Sequence, residues 1–557
     1  MKTGALLAVM VVSCHGGTSE NNGDGIAPVD SGPGLEKLDA GFDPDTGAPI
    51  DVGPRDAPSR PGDRGLATDR GVATLDVPTT ADPCLAFRGV DAGAPINLTT
   101  TGPRELRAFP GAEGFGASAT GGRGGRVIFV TNLNASGPGS LLNAVQQTGP
   151  RYVLFKVSGV IPGEIHVRAG DLTIAGQTAP GGVTVRGFHT TEQPFCDQSC
   201  PASTRNVSNL IVRFIRSRPA GMSDDGIRLR YVRNAIVDHV SIGNASDEAM
   251  EISFSNTITI QNVLLAETVG EHFIYGGMLL NYSNPAAGYE LDRLTIHHNI
   301  WNRIGGRMPE FSRESAAAAN STMQVELSNN FWWDPRTYVD FNNTITSGDE
   351  GTAPIHYAIN LVGNYAWARP GYGFGLFSLR DRRNLSPAFF SDNLMNLYSN
   401  RRDWQFNYCC NDFPSTAPAT TPPSWVRATR FAYPAVTYTP ASELRTYVTA
   451  NVGCFPRDPM DLRLMNAVRA GQPLSASIDI NPANDALQVV ANPAAVPSDR
   501  DADGMSDAFE CRNGLNPLRQ DHNETTLSAG LIGVAGYTNL EVYLHELALI
   551  RVRAGQP

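Results

Sequence analysis

Lysine is almost absent from this chain of 557 residues: Lys2, Lys37 and Lys156 are its only three, and arginine carries nearly all of the positive charge. The formal net charge is −11 and no stretch is strongly basic, so the sequence lacks the charge pattern of a nucleic-acid-binding protein. The apolar part of residues 1–14 is also too short to span a bilayer. We therefore expect no nucleic-acid partner and no membrane span in this segment.

Periodic apolar residues are missing from residues 15–103, which are rich in Gly, Pro, Asp and Thr and poor in aromatic residues. Such a segment cannot bury enough apolar surface to offset the entropy lost on ordering. It is predicted to be a disordered, acidic tether. The Gly-rich segments that follow contain no complete phosphate-loop motif, so we interpret their glycines as turns between strands.

Residues 1–14 have the pattern of a lipoprotein-type signal peptide, with one positive charge, a short apolar core and a small residue before Cys14. The end of this segment, Val-Val-Ser-Cys, is similar to a bacterial lipobox, which predicts a lipid on Cys14 after cleavage. The alternative is an ordinary signal peptide that is cut nearby. Both interpretations predict a secreted or surface-anchored protein, and the first favours an outer-membrane lipoprotein of a bacterium.

Seven cysteines follow this segment, and an oxidising compartment makes disulfides their default state. The odd count predicts one free thiol. Two close pairs offer a zinc site as an alternative, but no cluster of histidines supports it. The seven stand at positions 84, 196, 200, 409, 410, 454 and 511.

An asparagine followed by an apolar run recurs in the second half of the chain. Asn299, Asn330, Asn364 and Asn393 are separated by steps of 31, 34 and 29 residues, and shorter steps of similar strand-like segments precede them. A period of this length is typical of stacked copies of one supersecondary unit. The pattern predicts an all-β chain folded as a parallel β-helix, in which these asparagines point inward and form a ladder.

Several motifs along residues 105–400 resemble the pectate lyases of polysaccharide lyase family 1. They include the blocks that begin at Ala108 and Gly121, and four others, namely 212–219 (VRFIRSRP), 224–227 (DDGI), 236–239 (IVDH) and the stretch from 297 (HHN) to 309 (RMP). The resemblance implies a right-handed parallel β-helix that cleaves polygalacturonate by β-elimination with Ca²⁺. The products are then 4,5-unsaturated oligogalacturonates, and we expect a monomer.

The resemblance also implies a calcium site. Asp225 matches the family's most dependable calcium ligand, Asp247 and Glu251 match its downstream acidic pair, and Asp224 and Glu248 are possible auxiliaries. The residues themselves agree, because acids that border successive coil strands come close together and repel each other unless a cation lies between them. The alternative is that these are solvated acids on turns.

Two arginines are the candidates for the chemistry. Arg307 matches the family's proposed base, which predicts alkaline activity because arginine is charged at ordinary pH. Arg313 stands one residue later than the family's second arginine, which binds a substrate carboxylate. The family often has a lysine on the preceding coil, and none is present here. The three histidines near these motifs are expected to be core or ladder residues; they are His239, His297 and His298.

The chain ends in a predicted calcium-binding module, residues 496–557, after a β-helix domain of residues 104–495. Its acidic residues have the spacing of a calcium loop, with Gly504 at the sixth position. The expected ligands are Asp499, Asp501, Asp503, Asp507 and Glu510. Residues 519–535 lack a second Asp repeat, so we expect one ion in this module.

Two other functions remain open from the sequence alone. The first is a polygalacturonase-type glycoside hydrolase on the same fold, with Asp224 and Asp225 as its paired carboxylates. It lacks the expected Gly-His-Gly segment. The second is a non-catalytic pectin-binding surface protein, which the missing lysine favours and the presence of Arg307 disfavours.

Overall fold

The computed structural model describes residues 82–87, 96–99, 104–191, 206–268, 276–312, 316–342, 354–379, 386–408, 413–414, 417–474 and 485–556. Residues 82–557 belong to one compact unit. The predicted leader, with Cys14, lies outside the described residues. The end of the predicted tether is too late, because Leu98 is buried in a core and Cys84 forms a disulfide with Cys511.

Three parallel sheets of ten, nine and nine strands stack along this unit, and each coil after the one that begins with Arg126–Val130 contributes one strand to each sheet. The first sheet contains Arg126–Val130, Arg151–Phe155, Leu172–Ala175, Val207–Arg213, Val232–Asp238, Asn256–Gln261, Asp292–His297, Thr322–Ser328, His356–Val362 and Ala388–Ser391. The second contains Gly159–Val160, Val183–Val185, Ile215–Ser217, Ser241–Gly243, Leu264–Ala266, Ile300–Asn302, Phe331–Trp333, Tyr365–Trp367 and Leu394–Met395. The third contains Ile165–His166, Phe188–His189, Ile227–Arg230, Met250–Ser253, Met278–Leu280, Glu310–Phe311, Val339–Phe341, Phe377–Leu379 and Asn407–Tyr408. This is the predicted right-handed parallel β-helix.

The interior of the helix is filled by aliphatic residues that stack from coil to coil. Val237 is in register with Val212 on one side and Ile260 on the other, and all three are buried. Because side chains alternate along a strand, every second residue faces this interior and its neighbours face outward. The outward residues are therefore free to build surfaces and sites.

The predicted asparagine ladder is confirmed. Asn299 donates its amide to Asn330 at 3.0 Å, Asn330 donates to Asn364 at 3.3 Å, and Asn364 donates to Asn393 at 2.9 Å. All four side chains are fully buried. Each amide also donates to a backbone carbonyl of a strand in the first sheet, so the ladder satisfies buried backbone at the bend between the first and second sheets.

Helices cover three places on the β-helix. Leu141–Val145, capped by Ser140, packs its apolar side into the interior beside the first coils. Leu444–Asn451 and Pro459–Ala470 pack outside the second sheet. The C-terminal helices pack on the outside of the first sheet, against Tyr152 and Leu154; they are Asp507–Arg512, Ser528–Leu531 and Asn539–Ala554. Within the described part of the chain, no helix is long and apolar enough to cross a membrane.

Candidate active site and acidic clusters

A row of polar side chains lies on the outer face of the third sheet. Ile227 and Leu229 point into the interior, so Arg228 and Arg230 between and after them point outward. In register, Arg228 is paired with Glu251 on the next coil. This row borders the turns that carry most of the predicted site residues.

Three carboxylates meet at the edge of this row. Asp225, Asp247 and Glu248 each offer an oxygen, and these oxygens lie within 4.8 Å of one another. Asp225 comes just before the strand that begins at Ile227, and the other two come just before the paired strand on the next coil. Asp225 is fully buried and its carboxylate accepts a hydrogen bond from the Glu248 backbone N–H at 3.0 Å. Coil stacking therefore produces the convergence expected of Asp225 and Asp247.

Glu251 has a different environment from the one that the sequence predicts. Its carboxylate lies 2.8 Å from Arg228 Nε and 2.9 Å from Arg230 Nη2, and Ser253 donates to it. It is not part of the group of three, in which Glu248 stands instead. Sequence analysis ranked Glu248 only as an auxiliary, because the direction of the two neighbouring glutamates depends on the turn between coils.

Arg228 is the residue that sequence analysis missed. Its guanidinium lies 3.0 Å from Asp224, 2.7 Å from Asp225 and 2.8 Å from Glu251, so it bonds three acids at once. Asp224 is thereby held beside the group of three and also accepts from the Asp225 backbone N–H. Arg228 and Arg230 stand on either side of the apolar residue Leu229, and this alternation in the sequence could have predicted that both arginines face outward from the strand.

The acids of the site differ in their electrostatic environment. Burial raises the pKa of Asp225 well above its usual range; Arg228 opposes that shift, while the charges of Glu251, Asp224 and Asp247 add to it. Burial would also raise the pKa of Glu251, but Arg230 and Arg228 outweigh it and the pKa is lowered. Repulsion among carboxylates at this distance is relieved by a cation.

Arg307 approaches the same acids from another coil. Its guanidinium forms an ion pair with Glu248 and lies 3.4 Å from Glu310. The backbone of Arg307 accepts a hydrogen bond from Met278, so the coil of Gly277 lies between Arg307 and Glu248. A Cβ at Gly277 would lie 2.0 Å from the Arg307 carbonyl, which explains why that coil has glycine there. The second predicted arginine, Arg313, lies outside the described residues.

The histidines of the sequence motifs do not lie in this group of acids. His297 and His298 are buried, their Nδ1 atoms are 2.9 Å apart, and burial lowers the pKa of both rings. His239 Nδ1 lies 2.8 Å from a carboxylate oxygen of Asp238. All three line a cavity of about 420 Å³ at the end of the first sheet, together with Asp238.

A second acidic cluster lies in the C-terminal segment. Asp499, Asp501 and Asp503 form one group of converging oxygens, and Asp503, Glu510 and Asp521 form another. Asp521 was missed because it stands outside the motif's loop. The remaining expected ligand, Asp507, differs from the prediction: its carboxylate accepts from Ser498 Oγ at 2.6 Å and pairs with Arg500 at 2.9 Å.

The donor sets of both clusters fit calcium. Every member offers carboxylate oxygen, which is the ligand that hard divalent cations prefer, and neither group includes the thiolate or imidazole typical of zinc sites. The members are partly or fully buried, and in the C-terminal cluster both oxygens of Glu510 and one oxygen each of Asp501 and Asp521 accept no hydrogen bond. Buried carboxylates in that condition are unfavourable without a cation.

Two similar proteins in other organisms share one description. A "Probable pectate lyase C" of Aspergillus flavus is 31% identical over 456 residues, which covers 79% of this chain and 94% of the relative. A protein of the same description from Aspergillus terreus is 32% identical over 457 residues, with the same coverage. Among solved structures, the cedar pollen allergen jun a 1 is 18% identical with a TM-score of 0.39, covering 62% of this chain and 92% of that one. No family model matches the chain.

Proposed function

The chain belongs to the pectate lyase family, and from that premise we propose that it cleaves polygalacturonate by Ca²⁺-assisted β-elimination. The observation that carries the proposal is the convergence of Asp225, Asp247 and Glu248 beside Arg307. Three coils supply these side chains, namely the coil of Asp225, the next coil with Asp247 and Glu248, and the coil of Arg307. Its products are 4,5-unsaturated oligogalacturonates.

Asp225, Asp247 and Glu248 are the residues that would hold the ion, with Asp224 next to them. Calcium bound there supplies positive charge that neutralises the substrate carboxylate and so makes the neighbouring C5 proton more acidic. Glu251 has a supporting role in this proposal. It neutralises Arg228 and Arg230, which keeps both guanidinium groups fixed behind the acids.

Arg307 is proposed to remove the C5 proton. As that proton leaves, the electron pair of the C5–H bond forms the C4=C5 double bond, the C4–O4 bond breaks and O4 takes a proton from solvent. Arginine is a weak base because it is charged over the ordinary pH range, so the reaction needs alkaline conditions. Glu310, 3.4 Å from Arg307 Nε, helps to fix the guanidinium plane.

The substrate needs a further cationic partner for its carboxylates. We propose Arg313 for this role, since it follows Arg307 by six residues in the sequence. The family's usual lysine is missing, and Arg228 and Arg230 are already paired with acids. We therefore expect lower substrate affinity than a lysine-containing site provides.

A hydrolase mechanism finds no support in the geometry. It would need one protonated acid and one water-activating carboxylate with room for substrate. Asp224 and Asp225 are instead both bonded to Arg228, at 3.0 and 2.7 Å.

Secretion, with a lipid on Cys14, remains part of the proposal and concerns a segment outside the described residues. The curated relatives named above are fungal, so the lipobox-like sequence is the sole argument for a bacterial lipoprotein. Metabolic labelling with a radioactive fatty acid tests it. Label is expected on the wild-type chain and not on Cys14→Ser, and equal labelling of both would refute lipidation at this residue.

Product analysis tests the proposed reaction. Polygalacturonate is incubated with the purified chain and the oligosaccharides are analysed by mass spectrometry. At each cleavage, elimination gives one product that is lighter by one water than its hydrolysis counterpart, because its new non-reducing end carries the C4=C5 double bond. Products of the hydrolytic mass alone, or no products from a folded chain with calcium at alkaline pH, would overturn the proposal.

A further inference from the structure

The C-terminal acidic cluster is distant in sequence from the active-site acids. It belongs to the segment that packs against the first sheet, whereas the active-site acids border the third sheet. We propose that it is a second calcium site, built by a ligand set that the loop motif alone does not give: Asp499, Asp501, Asp503, Glu510 and Asp521. In this role the ion joins three elements, namely the loop at 499–504, the helix Asp507–Arg512 and the turn that contains Asp521. It is a structural ion that holds the C-terminal helices on the β-helix.

The loop itself is already shaped for a ligand. Asp503 N–H donates to Asp499 and Asp501, each at 3.2 Å, and Asp521 N–H donates to Asp503 at 3.1 Å. Gly504 has a φ of +98°, in a region that favours glycine, and turns the chain sharply after the third aspartate. These bonds orient the carboxylates, but they do not by themselves require an ion.

The independent observation is Glu510. Its side chain is fully buried, yet neither carboxylate oxygen has a hydrogen-bond partner. One of these oxygens lies within 4.8 Å of an oxygen of Asp503 and of an oxygen of Asp521. A buried carboxylate without donors is a costly arrangement unless a cation occupies the space between it and its neighbours.

The cluster also carries more negative charge than its neighbours offset. Among the described residues, the recorded ion pairs to its five carboxylates come from Lys156, at 3.7 Å from Asp499, and from Arg519, at 3.2 Å from Asp521. Arg500, the other cation of the loop, is paired with Asp507. The two groups of three oxygens share Asp503 and together include five carboxylates. That number matches the high oxygen coordination of Ca²⁺, whereas Mg²⁺ keeps most of its waters and uses one or two carboxylates.

The position of Asp521 gives the ion its structural effect. The Asp521 carbonyl accepts a hydrogen bond from Asn539, the first residue of the helix Asn539–Ala554. That helix packs Leu540 and Tyr543 with Tyr152 and Leu154 of the first sheet. An ion bound to Asp521 therefore anchors the helix that covers the first coils. Its loss should loosen this cover while leaving the acids of the third sheet where they are.

Thermal unfolding with and without calcium tests this site. All variants are made on an Asp247→Asn chain, which removes the contribution of the proposed active-site ion. Saturating Ca²⁺ is expected to raise the Tm of that chain by at least about 3 °C. Asp521→Asn should abolish this increment. Asp507→Asn is the matched control, because it alters an acid of the same loop that the structure leaves out of the ligand set, and it should retain the increment even if its Tm is lower.

Glu510→Gln keeps the test decisive if Asp521→Asn does not fold. It removes an unpartnered charge, so the metal-free Tm should rise while the calcium increment disappears. Isothermal titration should show one calcium-binding event fewer than in the Asp247→Asn chain. The proposal is overturned if that parent chain shows no calcium increment, if the increment survives Glu510→Gln, or if Asp507→Asn removes it and Asp521→Asn does not.

Discussion

Arg307 and Glu248 form an ion pair across Gly277, which has no side chain to place between them. The pair joins the proposed base to the group of acids proposed to hold calcium. An ion bound to Glu248 competes with the guanidinium for this carboxylate. Calcium binding is therefore expected to free Arg307 for the substrate, so that metal and base act together.

Replacing Arg307 by lysine should reduce turnover by at least about 100-fold, the lower end of the effect of a positioned proton-transfer group. Lysine keeps the charge but lacks the planar fork and reach of the guanidinium. Arg303→Lys is the matched control, because Arg303 has similar exposure and pairs with Glu267 instead. Steady-state rates on polygalacturonate measure both variants, and equal rates for Arg307→Lys and wild type would remove Arg307 as the base.

Glu251→Gln should destabilise the fold by about 3–5 kcal/mol, since it leaves Arg228 and Arg230 buried with one acid fewer. The control is Asp334→Asn, which breaks a partly exposed pair with Arg369 and should cost about 0–1 kcal/mol. Urea unfolding measures both. A small loss of stability with a large loss of calcium affinity would instead support Glu251 as a ligand.

The asparagine ladder should be a measurable part of the stability. Asn330→Ala removes the bonds to Asn364 and Asn299 and leaves buried partners unsatisfied, at a cost of about 1–3 kcal/mol. Asn143→Ala, at an exposed position, should change the free energy of unfolding by less than about 0.5 kcal/mol. Equal effects of the two substitutions would contradict an energetic role for the ladder.

Stability should fall as the pH falls from 6.5 towards 4, and His545 should account for part of the slope. Burial and the charge of Arg213 lower the pKa of His545 to about 4, against about 6.5 in the unfolded chain. The unfolded chain binds the proton more tightly in this window, so the contribution is complete above pH 6.5 and lost below it, by about 3 kcal/mol at most. His545→Gln should flatten the slope measured by urea unfolding in saturating calcium, and an unchanged slope would refute the assignment.

Much of the fold was predictable because it depends on periodicity. The sequence separations between Asn299, Asn330, Asn364 and Asn393 equal the lengths of the coils. A shift of one of these asparagines by one position in the sequence would move its buried amide off the ladder. Such a pattern survives in the sequence because every coil repeats the same burial.

The candidate site was less predictable, since it depends on directions that periodicity does not give. Asp225 and Asp247 come together because their coils stack, and sequence position indicates that. Glu248, and not Glu251, stands in the group of three carboxylates, because Glu251 is paired with Arg228. The direction of the Arg228 side chain is a property of the folded surface that periodicity does not give. Asp521 joins its cluster from a turn outside the loop motif, so spacing gave no signal for it.

The most direct test of the account is the ultraviolet absorbance of polygalacturonate reacting with the chain at alkaline pH, with calcium and with a chelator. The account predicts that absorbance from the C4=C5 double bond rises with calcium, stops with the chelator and returns when Ca²⁺, more effectively than Mg²⁺, is restored. Asp225→Asn should reproduce the effect of the chelator. Cleavage detected as new reducing ends without this absorbance would contradict elimination, and absorbance that ignores both chelator and Asp225→Asn would contradict the calcium site.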